Sequence, residues 1–268
     1  MKAENLIELE RVYAEREGAI GWIVFNQPEK RNAISLDMWE ALPGLVQSHL
    51  DDPEVRVIFL RGAGEEAFVS GADISQFEKL RADVKQSEFY NAATERATQA
   101  IQQAEKPTVA MIHGFCFGGG RGIASACDLR VASEDALFRI PAARLGLTYG
   151  FGGIRHLISL VGAANAREIF LTAAVYHADE MLRMGYLNRV FPNAELEQES
   201  RAYAERIAAN APLTLRSIKI SIHEAVRDRE VRDMKKIEEA ARRCFDSRDY
   251  EEGRRAFMEK RPPEFKGE

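Results

Sequence analysis

The chain has 268 residues, 46% of them apolar and 29% charged, with a formal net charge of −5. That length fits one large domain or a domain with an appendage, and the apolar content supports a sizeable core. The acidic balance, without a long basic run, argues against nucleic acid as a partner. No apolar stretch approaches the roughly 20 residues that span a bilayer.

The N-terminal MKAENLIELERVYAERE mixes charges and has no apolar centre, so it reads as neither signal nor transit peptide. Leu6 to Tyr13 and Ala19 to Asn26 alternate as two strands, with a turn at Glu17-Gly18. Pro28 ends the second and leaves Lys30 and Arg31 in a loop. Ser35 is placed to cap a helix running to about Leu50, bent at Pro43. Val55 to Arg61 reads as a buried strand and Ala67 to Val69 as a short apolar piece, after which Ser70-Gly71-Ala72-Asp73 turns into a helix. Residues 75–105 are polar and helix-compatible, either a long exposed helix or a flap.

Lys106 to Asp128, KPTVAMIHGFCFGGGRGIASACD, repeats the strand–turn–helix pattern. Thr108 to Ile112 is a buried strand, and Gly118, Gly119 and Gly120 precede a small-residue helix over Gly122 to Ala126. Glycines at such a bend admit close backbone approach, and a helix starting there presents free N–H groups to an oxyanion or a phosphate. A tight turn with close helix packing accounts for the same glycines. Leu129 to Ala132 and Leu137 to Ile140 are short strands, PAARLGLTYGFGG a loop, and 153–161, 163–173 and 178–184 three helices with Gly162 and Gly185 at C-cap positions. Asn188 to Phe191 is a last strand. From residue 195 the pattern is helical: Leu196 to Ala209, Pro212 to Val226, Val231 to Asp246 and Arg248 to Lys260. The chain thus divides into an α/β core, residues 1–194, and a helical region, 195–268, whose apolar faces suit packing on the core or on another subunit. Cys116, Cys127 and Cys244, odd in number and without metal-ligand spacing, read as reduced thiols of a cytoplasmic protein.

NQPEKRNAIS, AFVSGADI, KPTVAMIHGFCFGGG, ACDLRVAS and the ending DYEEGRRAFMEKRPPEFKG together resemble the crotonase superfamily, the enoyl-CoA hydratase/isomerase family, in order and spacing over nearly the whole chain. The resemblance implies a spiral of ββα turns, a C-terminal helical trimerisation region, a homotrimer or dimer of trimers, acyl-CoA thioester substrates, and no metal or redox cofactor, coenzyme A being part of the substrate. It implies that the N–H groups of Ala72 and Gly119 hold an enolate oxygen. Lys30, Arg31, Ala33 and Ser70 match the CoA-binding cleft; Phe257 and Lys260 match tail positions that often touch CoA, or are a core aromatic and a surface charge.

The resemblance also predicts two glutamates for water activation in hydratases, at positions held here by Gly122 and Ala142. Ordinary hydration is therefore in doubt. Tyr149 lies where a related group of methylmalonyl-CoA decarboxylases carries a tyrosine, although Ala72 stands in place of that group's histidine. Arg121, Arg139 and Arg144 surround the two vacated positions, suited either to a substrate carboxylate or to surface salt bridges. His113 fits a structural role better than that of a base, and Asp73 reads as a helix N-terminal acid close to the hole. Three functions follow: a hydratase/isomerase-type enzyme with nonstandard proton donors, a decarboxylase using Tyr149, or a non-catalytic acyl-CoA-binding protein.

Overall fold

A computed structural model describes residues 11–73 and 84–268. Strands β1 (Val12–Glu17) and β2 (Ile20–Phe25) form an antiparallel hairpin around Gly18, with Val12 opposite Phe25. Residues 6–10 of the expected first strand lie outside the described residues, and the strand continues past Tyr13 to Glu17. Every residue of β2 is buried, because both faces of its sheet are covered. Ile23 and Phe25 join one core; Ile20, Trp22 and Val24 join a second on the opposite face. This is the period-two alternation of a strand with two apolar sides.

Helix α1 (Leu36–Asp51) buries Met38, Trp39, Leu42, Leu45 and Val46, and carries Pro43 within it. Ser35 occupies its N-cap, yet the hydroxyl makes no capping bond and is left unpartnered. The chain then winds repeatedly through two sheets. β3 (Val57–Gly62) enters a six-stranded sheet, β4 (Ala67–Val69) a four-stranded one, and α2 (Val84–Gln103) closes the turn. β5 (Thr108–Ile112), β6 (Phe115–Phe117) and α3 (Gly119–Ala126) repeat it, followed by β7 (Leu129–Ser133), β8 (Leu137–Arg139), α4 (Ala142–Leu145) and α5 (Phe151–Thr172). β9 (Tyr176–His177) then ends the small sheet, α6 (Ala178–Arg183) crosses, and β10 (Arg189–Phe191) completes the large one. The sheet orders are β1-β2-β3-β5-β7-β10 and β4-β6-β8-β9, parallel except for the β1–β2 and β8–β9 pairs. Each winding contributes one strand to each sheet, so the ββα spiral is present.

Two expectations are corrected. Helix α2 is not exposed along its length: Tyr90, Ala93, Ala97 and Ile101 pack into the main core, an amphipathic spacing hidden in a polar sequence. The start of that segment, 74–83, with the helix expected after Asp73, lies outside the described residues. PAARLGLTYGFGG is not all loop, since it contains α4 and opens α5 at Phe151. The two helices expected on either side of Gly162 are present: α5 is broken at that residue, whose φ of 74° departs from helical geometry. β6 and β9, of three and two residues, were too short to register as patterns.

In the C-terminal region α7 (Leu196–Ala208) closes the outer face of the large sheet, Leu196 and Ala204 packing with Trp22, Phe59 and Val109. α8 (Pro212–Ala225), α9 (Met234–Phe245) and α10 (Arg248–Glu259) follow, with Pro212 in the first turn of α8. Among the described residues no helix is long and apolar enough to cross a membrane.

Candidate active site

Two glycine-bearing turns meet at the junction of the sheets. The first is held by the loop after β2. Pro28–Lys30 makes a short 3-10 turn, and Arg31 and Asn32 then take left-handed φ values of 52° and 53°. Asn32 is fully buried and pins this conformation: its Oδ1 accepts from Gln27 N (2.9 Å), and its Nδ2 donates to Ala63 O (2.9 Å) and Ala67 O (2.7 Å). Asparagine tolerates a left-handed backbone better than most residues. The loop is laced to the turn beyond β4. Ser70 N donates to Arg31 O (3.1 Å), Ile34 N to Gly71 O (2.8 Å) and Asp73 N to Ile34 O (2.9 Å). Lys30 Nζ meets the buried carboxylate of Asp73 at 3.0 Å. Lys30, Arg31, Ala33, Ser70 and Ala72 are thus brought into one small region.

The second turn joins β6 to α3. Gly118 has φ 48°, and a Cβ built on it would lie 3.8 Å from Gly71 Cα, so the two turns abut. Gly120 is forced by packing, because a Cβ there would fall 2.2 Å from Val69 O at the end of β4. Gly119 sits against Trp39 and Ile34, whose side-chain carbons would lie 3.1 and 3.2 Å from an added Cβ. Trp39 Nε1 in turn donates to Tyr90 OH (2.9 Å), which links this turn's backing to α2. As the first residue of α3, Gly119 has an N–H without an intrahelical acceptor. Among the described residues, no acceptor is shown for it or for the N–H of Ala72.

The remaining candidates separate. Arg121 is buried, with its guanidinium 4.8 Å from the Tyr186 ring centre. Arg139 is spent structurally, its Nε donating to Ala173 O at the end of α5 (2.9 Å), while Arg144 is exposed on α4. Gly122 faces open space, with nothing within 4 Å of an added Cβ, and Ala142 is buried at the start of α4. The half-buried Tyr149 packs edge-on against Phe170, ring centres 5.4 Å apart. Arg31 is paired with Glu66 (3.1 Å) and lies over the Phe115 ring. Phe257 is 83% exposed on α10, so it is not a core aromatic, and Lys260 is the left-handed C-cap of that helix. Among the described residues no contact joins either to the two turns. His113 is half-buried, and its partial burial lowers its pKa, consistent with a neutral, structural ring. Sequence reasoning missed Asn32, Trp39 and Tyr186. Only Asn32, a turn-former inside KRNAIS, carried a local signal.

A two-sheet ββα spiral with two glycine-bearing turns abutting where the sheets meet is the crotonase fold, a scaffold for acyl-CoA chemistry. It superposes on an enoyl-CoA hydratase/carnithine racemase of Magnetospirillum magneticum with a TM-score of 0.92 and 33% identity, covering 97% of each chain. Residues 15–268 match the profile described as enoyl-CoA hydratase/isomerase. The short-chain-enoyl-CoA hydratase of Clostridium acetobutylicum is 34% identical over 255 residues, 95% of this chain and 97% of that one. The peroxisomal Delta(3,5)-Delta(2,4)-dienoyl-CoA isomerase of Arabidopsis thaliana is 32% identical over 279 residues, 99% of each. The chain belongs to the enoyl-CoA hydratase/isomerase family.

Proposed function

We propose that this enzyme transforms acyl-CoA thioesters by stabilising a thioester enolate between the N–H groups of Ala72 and Gly119. The observation that carries this reading is the abutment of Gly71 and Gly118, which sets the two N–H-bearing turns side by side. When a bond at the α-carbon breaks, charge moves to the thioester oxygen. Fixed backbone donors stabilise that charge without reorganising, typically by roughly 3 kcal/mol per donor. Trp39, Ile34 and Val69 hold the turns in place. Lys30, Arg31, Ala33 and Ser70 bind the CoA portion, with Lys30 and Arg31 supplying positive charge toward its phosphates. Phe257 and Lys260 contribute to CoA binding from a neighbouring subunit of a homotrimer or dimer of trimers. No metal or redox cofactor is needed. The free thiols Cys116, Cys127 and Cys244 suit a cytoplasmic setting.

Gly122 and Ala142 provide no carboxylate pair for water activation. That favours a reaction with little acid/base apparatus. The second reading is therefore decarboxylation of a malonyl-type thioester, in which the carbon–carbon bond breaks to release carbon dioxide and Tyr149 manages the proton delivered to the enolate.

Mass-spectrometric turnover tests both. Crotonyl-CoA, longer enoyl-CoAs and methylmalonyl-CoA are given separately to the purified protein and to Gly119→Pro, which removes one donor. Turnover lost in the variant supports the oxyanion hole; the mass change tells addition of water from loss of carbon dioxide. Tight acyl-CoA binding with no turnover of any member of the panel would instead make this a binding protein.

A further inference from the structure

Trp39 and Tyr90 are 51 residues apart in the chain and meet in the main core, both buried. An indole has one hydrogen-bond donor and no acceptor. In Trp39 that donor, Nε1, is spent on Tyr90 OH at 2.9 Å, which joins α1 to α2. The same edge of the ring bears on Gly119. Trp39 Cζ2 would lie 3.1 Å from a Cβ built there, and Cη2 3.9 Å. Cζ2 is bonded to the ring carbon that carries Nε1, so the edge touching Gly119 is the edge that Tyr90 anchors.

Ile34 completes this backing. Its Cγ2 would lie 3.2 Å from the same Cβ. Its backbone holds both neighbours of Ala72, with Ile34 N donating to Gly71 O (2.8 Å) and Asp73 N to Ile34 O (2.9 Å). One residue therefore touches the turns of both proposed oxyanion donors, and the indole beside it fixes how Gly119 sits. A buried indole N–H deprived of its acceptor swings toward another, because a desolvated, unmade donor is costly. An indole that swings withdraws its edge from Gly119, which opens α3 and has no side chain of its own to hold it. Oxyanion donors act through placement, and a shift of about 1 Å can cost on the order of a hundredfold in rate.

We propose that Tyr90 is a positioning residue: its hydroxyl, acting through the Trp39 indole, sets the place of the Gly119 N–H relative to that of Ala72. The proposal rests on the enolate reading of the two turns and adds to it a residue from α2. Acetoacetyl-CoA is the probe. Between its two carbonyls a C–H bond breaks, the proton goes to solvent, and the electron pair spreads onto the thioester and ketone oxygens. The resulting enolate absorbs in the near ultraviolet. The native protein should move this ionisation at least about one pH unit below that of free acetoacetyl-CoA, tenfold in the equilibrium. Tyr90→Phe, which deletes only the acceptor, should forfeit about tenfold of that stabilisation, while the Kd for butyryl-CoA, bound as the neutral thioester, stays within about twofold. Trp39→Phe should do the same, and adding Tyr90→Phe to it should cost little more, since the hydroxyl acts through the indole. Ala97→Gly, on the buried face of α2, is the control that lowers the melting temperature without touching Trp39. If Trp39→Phe does not fold, Tyr90→Phe against Ala97→Gly decides. An ionisation in Tyr90→Phe that stays at its native pH or moves no further than in Ala97→Gly, or a butyryl-CoA Kd weakened by the same factor, overturns the proposal and leaves the oxyanion hole standing. Acetoacetyl-CoA left unbound by the native protein, or bound with its ionisation unmoved, would remove the hole and this proposal with it.

Discussion

Lys30 Nζ lies 3.0 Å from Asp73 Oδ2, joining the loop after β2 to the turn that carries Ala72. The carboxylate is buried and the lysine half-exposed, so the pair couples a surface cation to the backbone of the proposed oxyanion hole. With Ser70 N to Arg31 O and Asp73 N to Ile34 O, it makes loop and turn one unit. If Lys30 supplies charge to the CoA phosphates as proposed, Lys30→Met should lower kcat/KM for acyl-CoA about tenfold, mostly through KM. A partly exposed ion pair contributes up to about 1 kcal/mol, so the melting temperature should fall by only ~2–4 °C. Unchanged kcat/KM would remove Lys30 from the binding site.

Two glycines on α3 make opposite demands. Gly120→Ala places a methyl group 2.2 Å from Val69 O and should destabilise by about 1–3 kcal/mol, the usual cost of overpacking. Gly122→Ala meets nothing within 4 Å and should be neutral or stabilise by ~0.5–1 kcal/mol, since alanine is the better helix former. Chemical denaturation of the two variants reads both, and equal effects would contradict the packing described for this helix.

Tyr149→Phe keeps the edge-on contact with Phe170 and deletes only the hydroxyl. Where that hydroxyl delivers a proton, kcat should fall about a hundredfold with melting unchanged, as for other general acids. A loss of stability with normal kcat would make Tyr149 a packing residue of the cleft wall.

On α8 and at its C-cap, Ile218, Ile222 and Val226 recur every four residues and are 52%, 62% and 58% exposed. That spacing makes a continuous apolar stripe, which a stable chain in water tends to cover. Sedimentation should show three or six copies, and Ile218→Glu with Ile222→Glu should release smaller species. A monomeric native protein would refute the assembly.

His49, His113, His156 and His223 all have pKa values lowered from 6.5, burial being the largest cause in each. Each binds its proton more readily in the unfolded chain. Their contribution to stability is therefore complete above pH 6.5 and is lost as pH falls below it toward the folded values. The melting temperature should drop between pH 7 and pH 5, ahead of the carboxylates. His49→Gln with His156→Gln should flatten that part of the curve; an unaltered slope would place the effect elsewhere.

Much of the fold was legible because local patterns and tertiary structure agree. Thr108 to Ile112 is apolar after its threonine and forms a fully buried central strand, and the glycines at 118 to 120 announce a turn entering a helix. Helices α7 to α10 follow their 3.6-residue spacing to within a few residues. α2 misled because its buried face has only two alanines, one isoleucine and one tyrosine among many polar residues, so average composition scores it as polar. β6 and β9 were illegible because strands this short are made by the neighbours they pair with.

The order of the turns, the glycines that let them form, and the lack of carboxylates at 122 and 142 are properties of the sequence alone. A covalent chain states which side chains it has and where its backbone can bend. The abutment of Gly71 and Gly118, the spending of Arg139 on a helix end, and the isolation of Arg121 beside Tyr186 were decided only in three dimensions. Each depends on groups tens of residues apart sharing a few ångströms. Three arginines that looked equivalent along the chain came to differ because burial and available carbonyls, not residue type, determine whether a charge is satisfied.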